Sequence, residues 1–431
     1  MTSILEHPVG ERADDEPDQR PARRRSRATP VQPSTPVQPA ADSPADSPAE
    51  PSAPRPVRGI VELQDQHAFL RVAGYLPGPQ DLYISADLVR THGLRSGDLV
   101  EGAEIPRAAG SGRTPARPAK ANPLTRVETV NGLPVDRRRP RPRFAELTPI
   151  HPHERLRLET GPGVPGTRAI DLLAPIGKGQ RGLIVARPKT GKTRLLQAIA
   201  RGVETNHPEC HLMVVLVDER PEEVTDMRRT IAGEVVASTF DRPAHEHIAI
   251  AELAVERAKR LAEQGTDVVI LLDSITRLCR AHNNNAKPGG RTLSGGVDAA
   301  AVGRPKQLFG AARKLEDAGS VTILATALID TGSRADDYFF EELKSTGNME
   351  LRLDRGLADR RVYPAIELDG TGTRREELLV SAEELDAMRR LRRVLAAQPG
   401  GGGIELLLER MGRTAGNAEF LQQIRLATPA G

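Results

Sequence analysis

The chain has 431 residues, with 61 Lys and Arg against 58 Asp and Glu, a formal net charge of +3, 38% hydrophobic residues and 3% aromatics without Trp. That length exceeds one compact core and implies two or three domains, and 35 Pro and 39 Gly leave ample material for loops and linkers. So small a net charge excludes a protein that holds nucleic acid by bulk charge, so any basic surface must be local. Cys210 and Cys279 lie far apart in or beside apolar runs and read as reduced thiols rather than a disulfide framework. No apolar run reaches the roughly 18 residues of a membrane span, and MTSILEHPVGERADDE lacks the charged-then-apolar order of a signal peptide. A cytoplasmic protein with no membrane association is expected.

Residues 1–56 are rich in Pro, Ala, Ser, Asp and Arg, with two TPVQP copies and a doubled ADSP. Such a composition cannot bury an apolar core and predicts a disordered tail. Over residues 57–133 the pattern changes to short alternating segments, GIVEL, AFLRV, DLYIS and DLVEG, separated by Gly, Pro and Asp turns. These predict a small OB-like β-barrel. Its Phe69, Arg71, Asp81 and Tyr83 supply two rings, a phosphate donor and a base-edge acceptor suited to single-stranded RNA. A barrel of this size also needs core aromatics, so packing is the competing reading. A basic Gly/Pro-rich insertion at 106–121 interrupts the barrel, and residues 134–171, which carry RRRPRPR at Arg137 to Arg143, read as a linker.

Residues 172–380 alternate strand and helix patterns: strands at 182–186, 212–217, 235–240, 268–272 and 320–328, helices at 192–202, 221–232 and 246–264. That order predicts a mostly parallel α/β sheet. RVYPAIEL near the end of this domain reads as one more strand, and residues 381–431 as helices split by PGGGG.

The chemistry lies at the ends of these strands. ARPKTGKT, residues 186–193, follows an apolar strand and opens a helix, the context of a phosphate-binding loop for ATP. Thr190, Gly191, Lys192, Thr193 and the following Arg194 form the candidate nucleotide set, with Lys192 on the β and γ oxygens and the Thr193 hydroxyl on Mg²⁺. Ala186 stands where the motif has glycine, and an ordinary strand-to-helix turn is the bland alternative. Asp273 ends DVVILLD, the position of a second magnesium carboxylate, although an Asp there also caps helices. Glu219 ends HLMVVLVDE and is the candidate general base, against the simpler reading of an ion pair with Arg220. Arg374, in GTGTRREE, is a candidate arginine inserted into a neighbouring subunit's site, though a turn arginine is usually just solvated. Polar loops at 283–298 and 330–337, with Lys287, Arg291 and Arg334, suit either an anionic strand or plain surface.

With these residues assembled, residues 57–425 resemble the Rho transcription termination factor family. PIGKGQRGLIVARPKTGKT, VDERPEEVTDM, GEVVASTFD, ILLDSITRL, VTILATALIDTGS, STGNMEL and GTRREELL occur in the family's order. The resemblance implies an α/β RecA-like P-loop ATPase behind an RNA-loading OB-fold, six copies in a ring, ATP sites between subunits, and release of transcripts from RNA polymerase. It implies that Lys189 joins Lys192 and Thr193 at phosphate and Mg²⁺, that Asp273 and Glu219 are catalytic, and that Arg374 is the arginine finger. Arg220 and Arg361 would be further nucleotide-site arginines and Tyr363 the adenine-stacking ring. Arg291 and Ser294 would grip RNA from one pore loop, Arg334 from the other, with Lys344 near the path that couples RNA to ATP. Ser274 and Arg277 fall where the family's antibiotic bicyclomycin binds. Two departures stand out. The tail replaces the small helical subdomain that usually precedes the OB-fold, and His67 stands where the family has an aromatic ring. The alternatives are a nucleotide-switched RNA-binding protein without motor activity, and a rotary-ATPase-like subunit or DNA recombinase on the same sheet.

Overall fold

The computed structural model describes residues 53–65, 67–105, 122–137, 141–286, 292–398 and 402–427. The expectations for the tail over residues 1–52 and for the insertion at 106–121 lie outside the described residues. The first strand already begins at Arg55, inside the stretch assigned to the tail.

Six antiparallel strands, β1 (Arg55–Gln64), β2 (His67–Arg71), β3 (Leu82–Ile84), β4 (Leu99–Glu104), β5 (Leu124–Val130) and β6 (Leu133–Pro134), form a sheet in the order 3-2-1-4-5-6, with helix α1 (Ala86–His92) between β3 and β4. Alternate residues Val61, Leu70, Leu82, Ile84, Val100 and Val127 meet in its core, the period-two burial that a curled sheet requires. Gly102 lets β4 and β5 approach, because a Cβ there would lie 2.0 Å from the carbonyl oxygen of Arg126.

The stretch read as a linker is partly built into the next domain. It contributes β7 (Pro149–Ile150), β8 (Arg155–Leu156) and most of α2 (Pro165–Leu173), and β9 (Ile176–Gly177) pairs with β8. The strand–helix alternation that follows is β10 (Arg181–Ala186), α3 (Lys192–Asn206), β11 (His211–Glu219), α4 (Pro221–Thr230), β12 (Glu234–Thr239), α5 (Ala244–Ala262) and β13 (Asp267–Asp273). Beyond it come α6 (Ile275–Asn284), the short strands β14 (Thr292–Leu293) and β15 (Val297–Asp298), α7 (Ala299–Phe309), β16 (Arg313–Leu315) and β17 (Ser320–Leu328). Next are α8 (Arg334–Lys344), β18 (Met349–Leu353), α9 (Arg355–Asp359) and β19 (Gly372–Thr373), and last α10 (Ala382–Ala396), α11 (Gly403–Met411) and α12 (Asn417–Ala427).

The large sheet runs β12-β11-β13-β17-β10-β18-β19, parallel from β12 to β18, with β16 and β7 paired beyond β17. Helices cover both faces, so the strands are apolar on both sides. Ile184 and Ala186 of β10 face the core that holds α2, α3 and the C-terminal helices, whereas Leu183 and Val185 face the core that holds α5 to α8. Arg168, fully buried on α2, binds the Met411 and Thr414 carbonyls and the Asn417 side chain, which ties the C-terminal helices down.

The barrel sits against α5 and the start of β12. Arg95 grips Glu263 with two bonds of 3.1 and 2.7 Å, Arg257 donates to Asn131 at 2.7 Å, and the Tyr75 hydroxyl donates to Glu234 at 2.8 Å. Gly97, at φ +85°, comes so close that a Cβ would lie 2.3 Å from the Glu256 carbonyl carbon. The barrel and the helix-covered large sheet therefore share one packed seam.

Candidate nucleotide site and nucleic-acid interface

The phosphate loop begins where β10 ends. Ala186 is a buried strand residue, paired with Leu328 on one side and Leu353 on the other. The left-handed turns fall later, at Lys189 (φ 68°) and Gly191 (φ 88°). Left-handed backbone is needed at those turns, glycine filling it at 191, and not at position 186, which explains the departure from the motif. Thr190 closes the loop by donating to the Arg187 carbonyl at 2.9 Å, and Arg355 braces it with 2.6 Å to the Pro188 carbonyl. Gly191 caps α3 with no side-chain bond, which leaves the first N–H groups of that helix pointing at the loop's concavity. These donors with Lys192 suit a phosphate chain, and the Thr193 hydroxyl with Asp273 suits Mg²⁺, so the residues present fit both.

Lys192 Nζ lies 2.5 Å from Asp273 Oδ1 and 3.9 Å from Glu219 Oε2, and Thr326 donates to the same Asp273 oxygen at 2.8 Å. The expected loop, second carboxylate and candidate base thus converge. Glu219 is aimed by backbone geometry. The β11–β12 register slips between Val217 and Glu219, and Asp218 adopts φ 56° at that bulge. Arg277 holds the bulge by donating to the Asp218 carbonyl and lies 3.4 Å from Glu219 Oε2. Arg220 gives Glu219 only its backbone N–H, at 3.2 Å, and its side chain is exposed, so the simple Glu219–Arg220 ion pair is not formed.

Beside the loop is an apolar cavity of about 180 Å³ lined by Val164, Gly166, Arg194, Leu195, Tyr363 and Pro364. A Cβ at Gly191 would lie 3.1 Å from the Tyr363 ring, which is half-exposed at the mouth. RVYPAIEL, however, is not a strand. Arg361 is exposed at φ 65°, Pro364 lacks an N–H, and only Ile366 makes a single bridge, to Leu353. Sequence reasoning missed Val164 and Gly166 altogether. The Pro at the start of α2 was the available signal.

Arg374 is exposed and lies at the other end of the sheet. Its N–H binds the Asn348 carbonyl, and the preceding Thr373 pairs with Met349, the first residue of β18, whereas the phosphate loop leaves the sheet beside Leu353, the last. Four residue steps along β18 separate these two pairing points, about 13 Å. Within one chain Arg374 belongs to a different edge from Lys192.

The polar loops read from sequence converge around α6. DTGSRADD is only in part a loop, because Ser333 accepts from the Asp336 N–H and caps a helix that starts at Arg334. Backbone of Arg334 lies 3.0 Å from where a Gly295 Cβ would be, so the two loops touch. Ser274 caps α6 at the carboxylate end and Arg277 reaches Glu219. One turn on, Arg280 binds buried Asp336 at 2.9 Å, and Asn283 accepts from the Asp298 N–H at 2.8 Å. Lys344 ends α8 above the Phe340 ring, 5.8 Å from its centroid, and Arg352 covers the same ring. Arg291 and the Ser294 side chain lie outside the described residues.

On the barrel, Phe69 pairs directly with Tyr83 across β2 and β3. Arg71 and Asp81 are already engaged: Arg71 is 4% exposed, bound to Asp81 at 2.6 Å and to Glu62, with its guanidinium 5.1 Å from the Phe69 ring centre. Asp81 also accepts the Gly78 N–H at 2.7 Å. The guanidinium of this pair lies against the Phe69 ring. Cys279 is buried and Cys210 half-buried, both as free thiols, and burial pushes the Cys210 thiol up to about 12. Among the described residues no helix is long and apolar enough to cross a membrane.

The comparisons agree with this division. Residues 166–371 match the ATP synthase alpha/beta family, nucleotide-binding domain, and residues 57–136 match the Rho termination factor, RNA-binding domain. Fold and site define a RecA-like P-loop ATPase joined to an RNA-binding barrel. Curated relatives called transcription termination factor Rho include those of Streptomyces lividans (59% identity over 374 residues, 87% of this chain and 52% of the relative) and Streptomyces coelicolor (63% over 362 residues, 84% of each). The chain belongs to the Rho transcription termination factor family, although it spans only about half the length of the Streptomyces lividans relative. Among solved structures, a type III secretion ATPase of pathogenic bacteria aligns with TM-score 0.55 at 22% identity, covering 64% of this chain and 86% of that one. The assembled ATPase EscN of the enteropathogenic E. coli system aligns with TM-score 0.54 at 19% identity, covering 87% and 95%. These last two show the fold alone.

Proposed function

We propose that this chain is an ATP-driven motor on single-stranded RNA that works as a homohexameric ring in the cytoplasm and releases transcripts from RNA polymerase. The observation that carries it is the position of Arg374. A site with Lys192, Asp273 and Glu219 at one end of the strands and its candidate arginine beside the opposite end of β18 would be completed by a second copy placed head to tail. In that arrangement Glu219 orients the attacking water, Lys192 and the α3 N–H groups hold the phosphates, and the neighbour's Arg374 meets the charge that develops. Mg²⁺, held by Thr193 and Asp273, would neutralise phosphate oxygens. Lys189, Arg220 and Arg361 would add charge around the nucleotide, and Tyr363 would stack on its base. Phe69 and Tyr83 would load RNA, and the Gly295–Arg334 contact, with Arg291, Ser294 and Lys344, would grip it at the ring's centre.

The switch-only alternative drew on Ala186 and on the weakened cleft with His67; the strand position of Ala186 removes the first of these motives. The test is ATP turnover by the full chain with and without a pyrimidine-rich RNA, alongside particle mass by light scattering. RNA-stimulated turnover by a ring is expected; equal turnover without RNA, or a stable monomer, would overturn the reading.

A further inference from the structure

At the end of β10 away from the phosphate loop lies another cavity, of about 620 Å³, lined by Pro149 of β7, His151, Gly179, Arg181 at the start of β10, Arg313 of β16 and Asn348. Five residue steps along β10, about 17 Å, separate Arg181 from Ala186, where the loop begins. Arg181 and Arg313 are half-buried and neither meets a carboxylate among the described residues. Arg181 gives Nε to the Thr346 carbonyl at 3.0 Å and Nη1 to the Ala312 carbonyl at 2.9 Å, and Arg313 gives Nη2 to the Gly310 carbonyl at 2.7 Å. A guanidinium carries five N–H donors, so most of them are left over.

We propose that this cavity binds a small phosphate-chain anion, with Arg181 and Arg313 as its paired donors and His151 at the rim. Two positive forks that share one cavity call for an anion with more than one charge, and planar guanidinium matches phosphate oxygens two at a time. The volume falls in the range of small-ligand sites.

The surroundings leave the two cations to such a guest. Glu154 and Asp267, the acids that meet the adjoining Lys314, are engaged by it at 2.7 Å and by Lys178 at 2.8 Å. Burial lowers the proton affinity of both guanidinium groups, and for Arg181 the charge of Arg313 lowers it further, with no acid offsetting either. The Arg313 guanidinium lies 5.1 Å from the Phe144 ring centre, which supports its plane. Gly179, at φ +93°, forms a bare wall, because a Cβ there would lie 2.2 Å from the Lys314 nitrogen. Asn348 joins the cavity to the turn that carries Arg374: its side-chain oxygen accepts the Arg181 N–H at 2.8 Å and its carbonyl accepts the Arg374 N–H at 2.9 Å.

The test is calorimetric titration of the full chain with inorganic pyrophosphate, made in a Lys192→Ala background so that the phosphate loop is disabled. One site per chain is expected. Adding Arg313→Gln should weaken it at least about tenfold, and His151→Glu, a change at an exposed position that leaves the fold alone, should weaken it in the same direction. Arg389→Gln, which removes an exposed charge from α10, should bind like the background. No binding, or equal losses in Arg313→Gln and Arg389→Gln, would overturn the assignment. Competitive displacement of pyrophosphate by a short oligouridylate would give the two arginines to a nucleic-acid backbone and overturn it as well. RNA-stimulated ATP turnover by wild type is read separately, so a failure here leaves the motor reading standing.

Discussion

Lys192 Nζ and Asp273 Oδ1 lie 2.5 Å apart and join the loop after β10 to the end of β13 across the intervening β17, whose Thr326 donates to the same oxygen. Asp273 is 2% exposed, so this pair both shapes the site and satisfies a buried carboxylate.

Lys192→Ala should therefore lower ATP turnover at least about a hundredfold and also reduce stability by about 1–3 kcal/mol, because two carboxylates lose their shared cation. Asp273→Asn keeps an acceptor for Thr326 and should fold normally while losing turnover. Steady-state assays and thermal melts of both variants check this; a Lys192→Ala protein with normal turnover would remove the site.

Arg374→Ala should bind nucleotide with nearly wild-type affinity and fail to turn it over. Mixing it with Lys192→Ala should restore part of the activity, because some interfaces then combine an intact loop from one copy with an intact arginine from the next. Two inactive variants that stay inactive after subunit exchange would show that the arginine does not act between copies.

Gly97→Ala places a methyl 2.3 Å from the Glu256 backbone at a left-handed residue. The barrel must lift from α5, at a cost of about 3 kcal/mol, and the urea unfolding midpoint should fall. An unchanged midpoint and shape would mean the seam is looser than its bonds suggest.

Burial, with Arg304 adding to it, pushes the His282 imidazole down to about 4. The folded state keeps this ring neutral whereas the unfolded chain protonates it near pH ~6.5. Its contribution is thus complete above that pH and is lost as pH falls toward 4. His282→Gln should flatten the loss of stability between about pH 6.5 and 4.5 in urea titrations; an unaltered acid limb would sink the assignment.

The sheet was legible because buried parallel strands are written as continuous aliphatic runs: 320–328 matches β17 residue for residue, and the helix expected at 246–264 appears as α5, Ala244–Ala262. The carboxylates at strand ends were legible for the same reason. What decides their aim was not, since the left-handed turn at Asp218 arises from pairing with β12 and leaves no mark in the local sequence. RVYPAIEL has strand composition and yet Pro364 and the turn at Arg361 break it, whereas the polar first turn of α8 hid a capped helix. Arg71 looked like a phosphate donor because nothing local reveals that Asp81, ten residues on, neutralises it inside the barrel.

Helix α6 has ten residues, about 15 Å of rod. Arg277, Arg280 and Asn283 follow one another at three-residue intervals along it and hold, in turn, the carboxylate at Glu219, the turn at Asp336 and the loop at Asp298. No hinge lies between these grips. A shift of the loops is therefore carried along one unbroken rod to the Glu219 carboxylate, which is the linkage the proposed motor would require.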